Sequence, residues 1–251
     1  MSDVRAQFGP VAEKYLTSKA HDQPEEIALV LDRLGVQGGT VVDVGTGAGH
    51  LAYALAHRVD KVVAVDVTPQ MLDVVKAESV KRGLENVTTR LAAAEDMGFA
   101  DGSVNGVASR LAAHHFTDVA AFVADAARSL VPGGWLLVVD TMSPEDNDVA
   151  QQVDAFERRR DPSHVWNLKA SEWEALATRF GLVPQWHIVR RKPLDFADWT
   201  ERMRVSDADT QALLESLENA ENGFKDYMAP RREGGRLWFD LHEIAFAATK
   251  T

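Results

Sequence analysis

The chain has no cysteine in 251 residues, which excludes disulfide staples, thiolate nucleophiles and cysteine-held zinc or iron–sulfur centres. Positive charge is also scarce: 27 lysines and arginines face 38 aspartates and glutamates, a formal net charge of −11. A field of that sign opposes a phosphate backbone and an anionic lipid surface, so nucleic acid is not an expected partner. No window approaches the roughly 18 uninterrupted apolar residues of a membrane span. The first residues, Met1-Ser-Asp-Val-Arg-Ala-Gln7, lack the basic start and apolar centre of a signal peptide. The expectation is a cytoplasmic protein with no integral membrane segment, and the chain shows no internal repeat.

With 45% apolar residues the chain can bury one sizeable core. We expect a single domain over residues 1–251, with an N-terminal arm at 1–21 and a helical insertion at about 195–230. The insertion would serve as a lid or as a subunit contact in a homodimer. The organising stretch is Thr40-Val-Val-Asp-Val-Gly-Thr-Gly-Ala-Gly-His50. Val41, Val42 and Val44 suit a strand covered on both faces, and Gly45, Gly47 and Gly49 let the backbone turn tightly beside a ligand. Such a turn at a helix N-terminus presents free N–H groups to phosphates, dinucleotides or another polar nucleoside, and the glycines alone do not distinguish these.

Around it, strand and helix patterns alternate. Ile27, Val30, Leu31 and Leu34 mark a helix from Asp22 to Gly35, and Leu51 and Leu55 share a helix face. Thr68, Pro69 and Gly83 frame a helix that buries Met71, Leu72 and Val75. Asp118 opens another with Val119, Phe122, Val123, Ala126 and Leu130 inward, and Ser171-Glu-Trp-Glu174 opens a later one with a capping box. Strands are expected at 41–44, 61–66, 87–92, 104–110, 135–140, 183–191 and 237–249, and residues 196–222 read as helical. Seven strands with flanking helices imply an α/β, doubly wound, Rossmann-like sheet with helices on both faces and a small helical lid.

The neighbours of the turn discriminate between ligands. A dinucleotide fingerprint needs a glycine or alanine where His50 stands. Asp43 would repel a pyrophosphate but could hold an ammonium group. Asp66 ends the second strand, where a carboxylate can accept both hydroxyls of a ribose. These features disfavour a nicotinamide oxidoreductase.

Val42-Asp-Val-Gly-Thr-Gly-Ala-Gly49, Val65-Asp66 followed by Pro69, Met71 and Leu72, Ala94-Glu95-Asp96-Met97 with Phe99, and Leu130-Val-Pro-Gly-Gly134 together resemble class I S-adenosylmethionine-dependent methyltransferases. The similarity is greatest to the small-molecule branch that includes ubiquinone and menaquinone methyltransferases. It is close from Val41 to Asp140 and continues to the C-terminus as an order of elements. The resemblance implies S-adenosyl-L-methionine as cofactor, S-adenosyl-L-homocysteine as product, and a mostly parallel sheet with an antiparallel final strand. It further implies that Gly45 and Gly47 approach the cofactor, that Asp43 supports its ammonium group, that Asp66 binds ribose and that Val67 packs on adenine. The related pattern Gly-Asp-Ala-Glu places an Asp on the adenine amino group; here Ala92-Ala93-Ala94-Glu95 leaves the Ala94 backbone and the carboxylates of Glu95 or Asp96 for that contact. Tyr15, with Ser18, Lys19 and His21, would cover the cofactor as N-terminal arms do in similar families.

The segment Ser109-Arg110-Leu-Ala-Ala-His114-His115-Phe116 follows the fourth strand beside the glycine turn. Methyl transfer from a sulfonium is an in-line displacement, so the protein aligns a nucleophile and removes its proton where needed. His114 or His115 is the candidate base, and Arg110 would bond the cofactor carboxylate or steady the loop. Two adjacent histidines alone make a poor metal site, so no metal site is expected. The acceptor is expected to be a small molecule. Arg158-Arg-Arg160 and Arg231-Arg232 form basic islands suited to an anionic substrate or to solvated helix ends, and Trp166, Trp173, Trp199, Phe196 and Tyr227 could line an apolar pocket. The same fold also hosts other S-adenosylmethionine chemistry, such as cyclisation or elimination, and non-catalytic cofactor-binding modules.

Overall fold

The computed structural model describes Arg5, Gly9, Ala12 and residues 23–251. Tyr15, Ser18, Lys19 and His21 of the expected arm, and Asp22, lie outside the described residues. Among the described residues no helix is long and apolar enough to cross a membrane.

α1 (Pro24–Leu34) buries Ile27, Val30 and Leu31 and ends at Gly35 with φ 69°, a left-handed cap that only glycine adopts without strain. β1 (Thr40–Val44), α2 (His50–Ala56) and β2 (Lys61–Asp66) form the βαβ unit around the glycine turn. α3 (Pro69–Arg82) has proline in its first turn and Gly83 at φ 67° past its end, as its capping residues predict. β3 (Val87–Leu91) and β4 (Val104–Arg110) follow. The Asp118 carboxylate accepts the Ala121 N–H at 2.9 Å to start α4 (Val119–Ser129), and β5 (Leu130–Thr141) comes next. Leu130 therefore begins a strand instead of closing the inward face of α4, because helical dihedrals stop at Ser129.

Beyond β5 lie α5 (Asn147–Arg160), α6 (Ala170–Arg179), β6 (Leu182–Asp195), α7 (Phe196–Arg202), α8 (Asp207–Glu218), α9 (Asn222–Met228), β7 (Arg231–Glu233) and β8 (Arg236–Lys250). Three expectations are corrected here. The capping box of α6 is set two residues earlier: Glu172 accepts the Lys169 N–H at 2.9 Å, because the Ser171 hydroxyl is committed to Glu145 at 2.5 Å. The helical stretch at 196–222 is broken, with Arg204 at φ 52° and Asn222 at φ 47° outside the right-handed helical region. An additional strand, β7, pairs with the start of β8 across Gly234 and Gly235, whose φ values of 57° and 80° suit a two-residue hairpin turn.

The sheet order is β3-β2-β1-β4-β5-β8-β6, with β7 on β8. β1 to β5 are parallel, β8 is antiparallel to β5, and β6 is antiparallel to β8. This is the mostly parallel, doubly wound arrangement with an antiparallel final strand. One apolar cluster, including Val42, Val107, Phe122, Trp173 and Phe246, packs on one face, and another, including Leu31, Val41, Leu55, Leu137 and Ala247, on the other. A third, with Phe156, Trp199, Leu213, Leu217, Phe224 and Phe239, ties α5 and α7 to α9 to the far end of β8. The chain runs outward from β1 to β3 and then crosses back to β4, so a crevice opens beyond the carboxyl ends of β1 and β4.

Candidate active site

The glycine turn occupies this crevice. Gly45, Gly47 and Gly49 have φ values of 65°, 53° and 87°. A Cβ on Gly45 would stand 2.5 Å from the Ala112 Cβ, so glycine is what lets the loop after β4 cross over the turn. The space above Gly47 is open, and its N–H donates to Asp66 Oδ2 at 2.9 Å while the Thr68 N–H donates to Oδ1 at 2.8 Å. These bonds aim the Asp66 carboxylate along the rim, and burial raises its pKa. Asp43 is 1% exposed and accepts the Thr46 hydroxyl at 2.6 Å. Burial pushes its pKa up to about 7, outweighing that hydrogen bond. A carboxylate held this way gains most from a cation placed against it.

A cavity of about 650 Å³ spreads from the turn. Asp43, Gly45, Gly47, Asp66, Val67, Ala94, Glu95, Arg110, His114 and His115 all line it. Glu95 Oε1 also accepts the N–H groups of Thr117 and Asp118 at 2.9 and 3.1 Å, so this carboxylate steadies the loop that leads into α4. Asp96 is exposed and outside the cavity wall, which leaves Glu95 and the Ala94 backbone on the rim. Arg110 donates to Gln23 Oε1 at 3.0 Å, and desolvation lowers its pKa.

The two histidines sit on a 3₁₀ turn, Ala113–His115, and have different surroundings. Asp140, at the end of β5, accepts both the His114 N–H at 3.0 Å and the ring Nδ1 at 2.6 Å, and it also accepts the Thr141 N–H at 2.8 Å. The Asp140 side chain is 2% exposed. Burial alone would favour its neutral form, yet the His114 ring and these donors hold its pKa below the usual carboxylate range. An ionised Asp140 requires the proton on Nδ1 and leaves the lone pair of neutral His114 on Nε2. Desolvation opposes charge on His114, but the Asp140 carboxylate outweighs it and raises the pKa. His115 behaves oppositely: burial and the neighbouring His114, with ring centroids 4.1 Å apart, lower its pKa. Its Nδ1 lies 3.2 Å from the Ser163 carbonyl and its Nε2 is 4.0 Å from Asp161.

The fold brings Asp140 and Asp161, both distant in sequence, beside these histidines. Asp140 was legible in principle: Arg110 pairs with Val139 in the sheet, so the residue closing β5 falls beside the loop that leaves β4. Asp161 has no such signal, since it reaches the site on the segment after α5.

The far wall contains Glu157, Arg160, Lys192, Leu194, Trp199 and Leu241 among others. Of the basic islands only Arg160 lines the cavity; its guanidinium lies 4.6 Å from the Trp199 ring centroid and its Nε donates to the Trp199 carbonyl at 3.1 Å. Arg158 pairs with Asp154, Arg159 with Asp209, Arg231 with Asp240 and Arg232 with Glu218. Trp199 is likewise the only member of the expected aromatic set on the wall; Trp173 and Phe196 are packed in apolar clusters.

A family described as a methyltransferase domain matches residues 42–138. The chain is 36% identical over 205 residues to the uncharacterised protein YafE of Escherichia coli, covering 80% of this chain and 99% of that one. It is 31% identical over 224 residues to the uncharacterised methyltransferase YcgJ of Bacillus subtilis, covering 87% of each. The crystal structure of YcgJ superposes with a TM-score of 0.87 at 29% identity, over 91% of this chain and 99% of that one. At 16% identity, and so for the fold alone, geranyl diphosphate C-methyltransferase from Streptomyces coelicolor, solved with Mg²⁺, geranyl diphosphate and S-adenosyl-L-homocysteine, superposes with a TM-score of 0.63 over 99% and 88% of the two chains. The glycine turn, the strand-end carboxylates and these likenesses agree, and the chain belongs to the S-adenosylmethionine-dependent methyltransferases.

Proposed function

We propose that the cavity binds S-adenosyl-L-methionine along the glycine turn and that His114 is the base that takes a proton from a small-molecule acceptor. The residues fit the cofactor: Asp43 is a buried carboxylate in need of a cation, Gly47 faces open space, and Asp66 and Val67 lie on the rim where a ribose and a base would rest. Asp43 would hold the ammonium group, Arg110 the carboxylate, and Ala94 and Glu95 the adenine edge. When bound, the cofactor supplies an electrophilic methyl carbon on a sulfonium centre.

The observation that carries the catalytic reading is the 2.6 Å contact between Asp140 and the Nδ1 of His114, a residue of the cavity wall. It fixes the tautomer, leaves Nε2 as the acceptor and stabilises the imidazolium that forms when a proton arrives. Phenols titrate near pH 10 and an unperturbed imidazole near 6.5, so a base whose pKa is raised closes part of a gap of about 3.5 units. His115, held neutral by its surroundings, packs the loop. Around the cavity we read one domain, with α5 and α7 to α9 as the lid over the acceptor, acting in the cytoplasm.

Calorimetric titration with S-adenosyl-L-methionine, S-adenosyl-L-homocysteine and NADH tests the cofactor half: saturable binding of the first two and none of the third is expected, and tight NADH binding with no sulfonium binding would overturn it. His114→Gln, assayed for transfer of labelled methyl groups to a phenol panel, tests the base.

A further inference from the structure

Glu157 is a buried carboxylate with an unusual set of neighbours. It lies on α5, is 8% exposed and lines the cavity. Acidic side chains are rarely buried this far unless a cation or several donors compensate. Among the described residues no lysine or arginine pairs with Glu157, and Asn167 Nδ2 donates to Oε2 only. Oε1 has no donor among the described residues. Asn167 is itself locked, 1% exposed and with its Oδ1 accepting the Thr141 hydroxyl at 2.6 Å.

Two consecutive residues at the end of β5 therefore fix two separate proton acceptors on one cavity. Asp140 fixes the His114 ring, and Thr141 fixes Asn167, which fixes Glu157. Both acceptors line the same cavity. Leu194, Trp199 and Leu241 supply an apolar wall to the same cavity.

We propose that Glu157 recognises the acceptor, taking a hydrogen bond from a second donor on the atom next to the methylated position. The acceptor class is then an apolar, planar molecule with a phenol- or enol-type hydroxyl and a neighbouring hydroxyl or amino group. The hydroxyl proton passes to His114 Nε2, the oxygen–carbon bond forms as the sulfur–carbon bond of the cofactor breaks, and the second donor stays on Glu157. An ammonium group in place of the hydroxyl would meet the cofactor's own positive charge at the reacting centre. This inference rests on His114 as the base.

The test uses the whole protein saturated with S-adenosyl-L-homocysteine, titrated with 1,2-dihydroxybenzene, 2-aminophenol and 2-methylphenol, with tryptophan fluorescence as readout. A hydrogen bond to a charged group implies that the first two bind about tenfold tighter than the third. Glu157→Gln removes the charge and should bring the three within about twofold, and Asn167→Ala, which frees Oε2, should narrow the difference part of the way. Equal binding of the three to the unmodified protein, binding of none, or a preference that survives in both variants overturns the proposal. Thermal melts of both variants show whether the fold is kept, and if Glu157→Gln does not fold, Asn167→Ala decides. Loss of methyl transfer in His114→Gln alongside an unchanged preference in Glu157→Gln would leave the base in place and remove Glu157. Retained transfer in His114→Gln would remove the base, whatever the binding series shows.

Discussion

Asp43 and His114 are opposite uses of burial at the scale of single residues. Asp43 has its charge suppressed until a cation arrives, with a pKa of about 7 in the free protein. A bound ammonium group needs the ionised form, so cofactor binding should release a proton near and below pH 7, and affinity should fall as pH drops through that value. Calorimetry in buffers of different ionisation enthalpy checks this, and Asp43→Asn should weaken binding about tenfold to a hundredfold while abolishing the proton release. His114 has its charge supported by Asp140, so its folded pKa lies above the ordinary imidazole value. As a base it works only when neutral, and the rate should rise with pH through that raised value. Asp140→Asn removes the support: the rising limb should move to lower pH, while the maximal rate falls about 10² to 10⁴ through the wrong tautomer. An unmoved limb would show that Asp140 does not tune the base.

At the scale of elements, the loop after β4 crosses the glycine turn at a single close approach. Gly45→Ala combines a φ of 65° with a Cβ 2.5 Å from Ala112. The expected outcome is a loss of cofactor affinity and a lower melting temperature, of which Ala112→Gly in the same chain should restore only the steric part. Asp118→Ala removes the side-chain cap of α4 and should cost about 1 kcal/mol, about 2–4 °C in a chain of this size, with catalysis unchanged. Much at this scale was legible in the amino-acid pattern, because caps and periodicity act over a few residues: Pro69 and Gly83 bound α3, and β4 begins and ends where its pattern does. The misplaced capping box at Ser171 shows the limit, since a tertiary bond to Glu145 removed the hydroxyl from local use. The Gly234-Gly235 hairpin carried its signal in plain view, within a stretch to which the pattern assigned no element.

For the whole molecule, the fold brings together groups that no local pattern joins. The proposed cofactor half of the cavity came from contiguous motifs, and its described candidates line the cavity. The acceptor half did not: Asp140 acts on a histidine 26 positions earlier, and Glu157 is oriented through Asn167 and Thr141. Such contacts depend on strand order and on how α5 lies over the sheet, and the third apolar cluster packs α5 against the start of β8. Phe239 joins that cluster from β8, fully buried against Phe156 and Trp199. Phe239→Ala should cost about 3–5 kcal/mol of stability and should weaken binding of the phenol probes more than binding of S-adenosyl-L-homocysteine, as paired titrations would show.

The main-chain carbonyl of His114 accepts the N–H groups of Val165 and Trp166 at 2.8 and 3.3 Å. These stitches join His114, the proposed base, to the segment beyond α5, and they give the site a reporter of its own. Exchange of the Val165 amide with deuterium follows the order of the histidine turn, so it can be read by mass spectrometry in variants too slow to assay. In Asp140→Asn, where the His114 N–H and ring lose their anionic clamp, that amide should exchange faster while amides in β1 keep their protection.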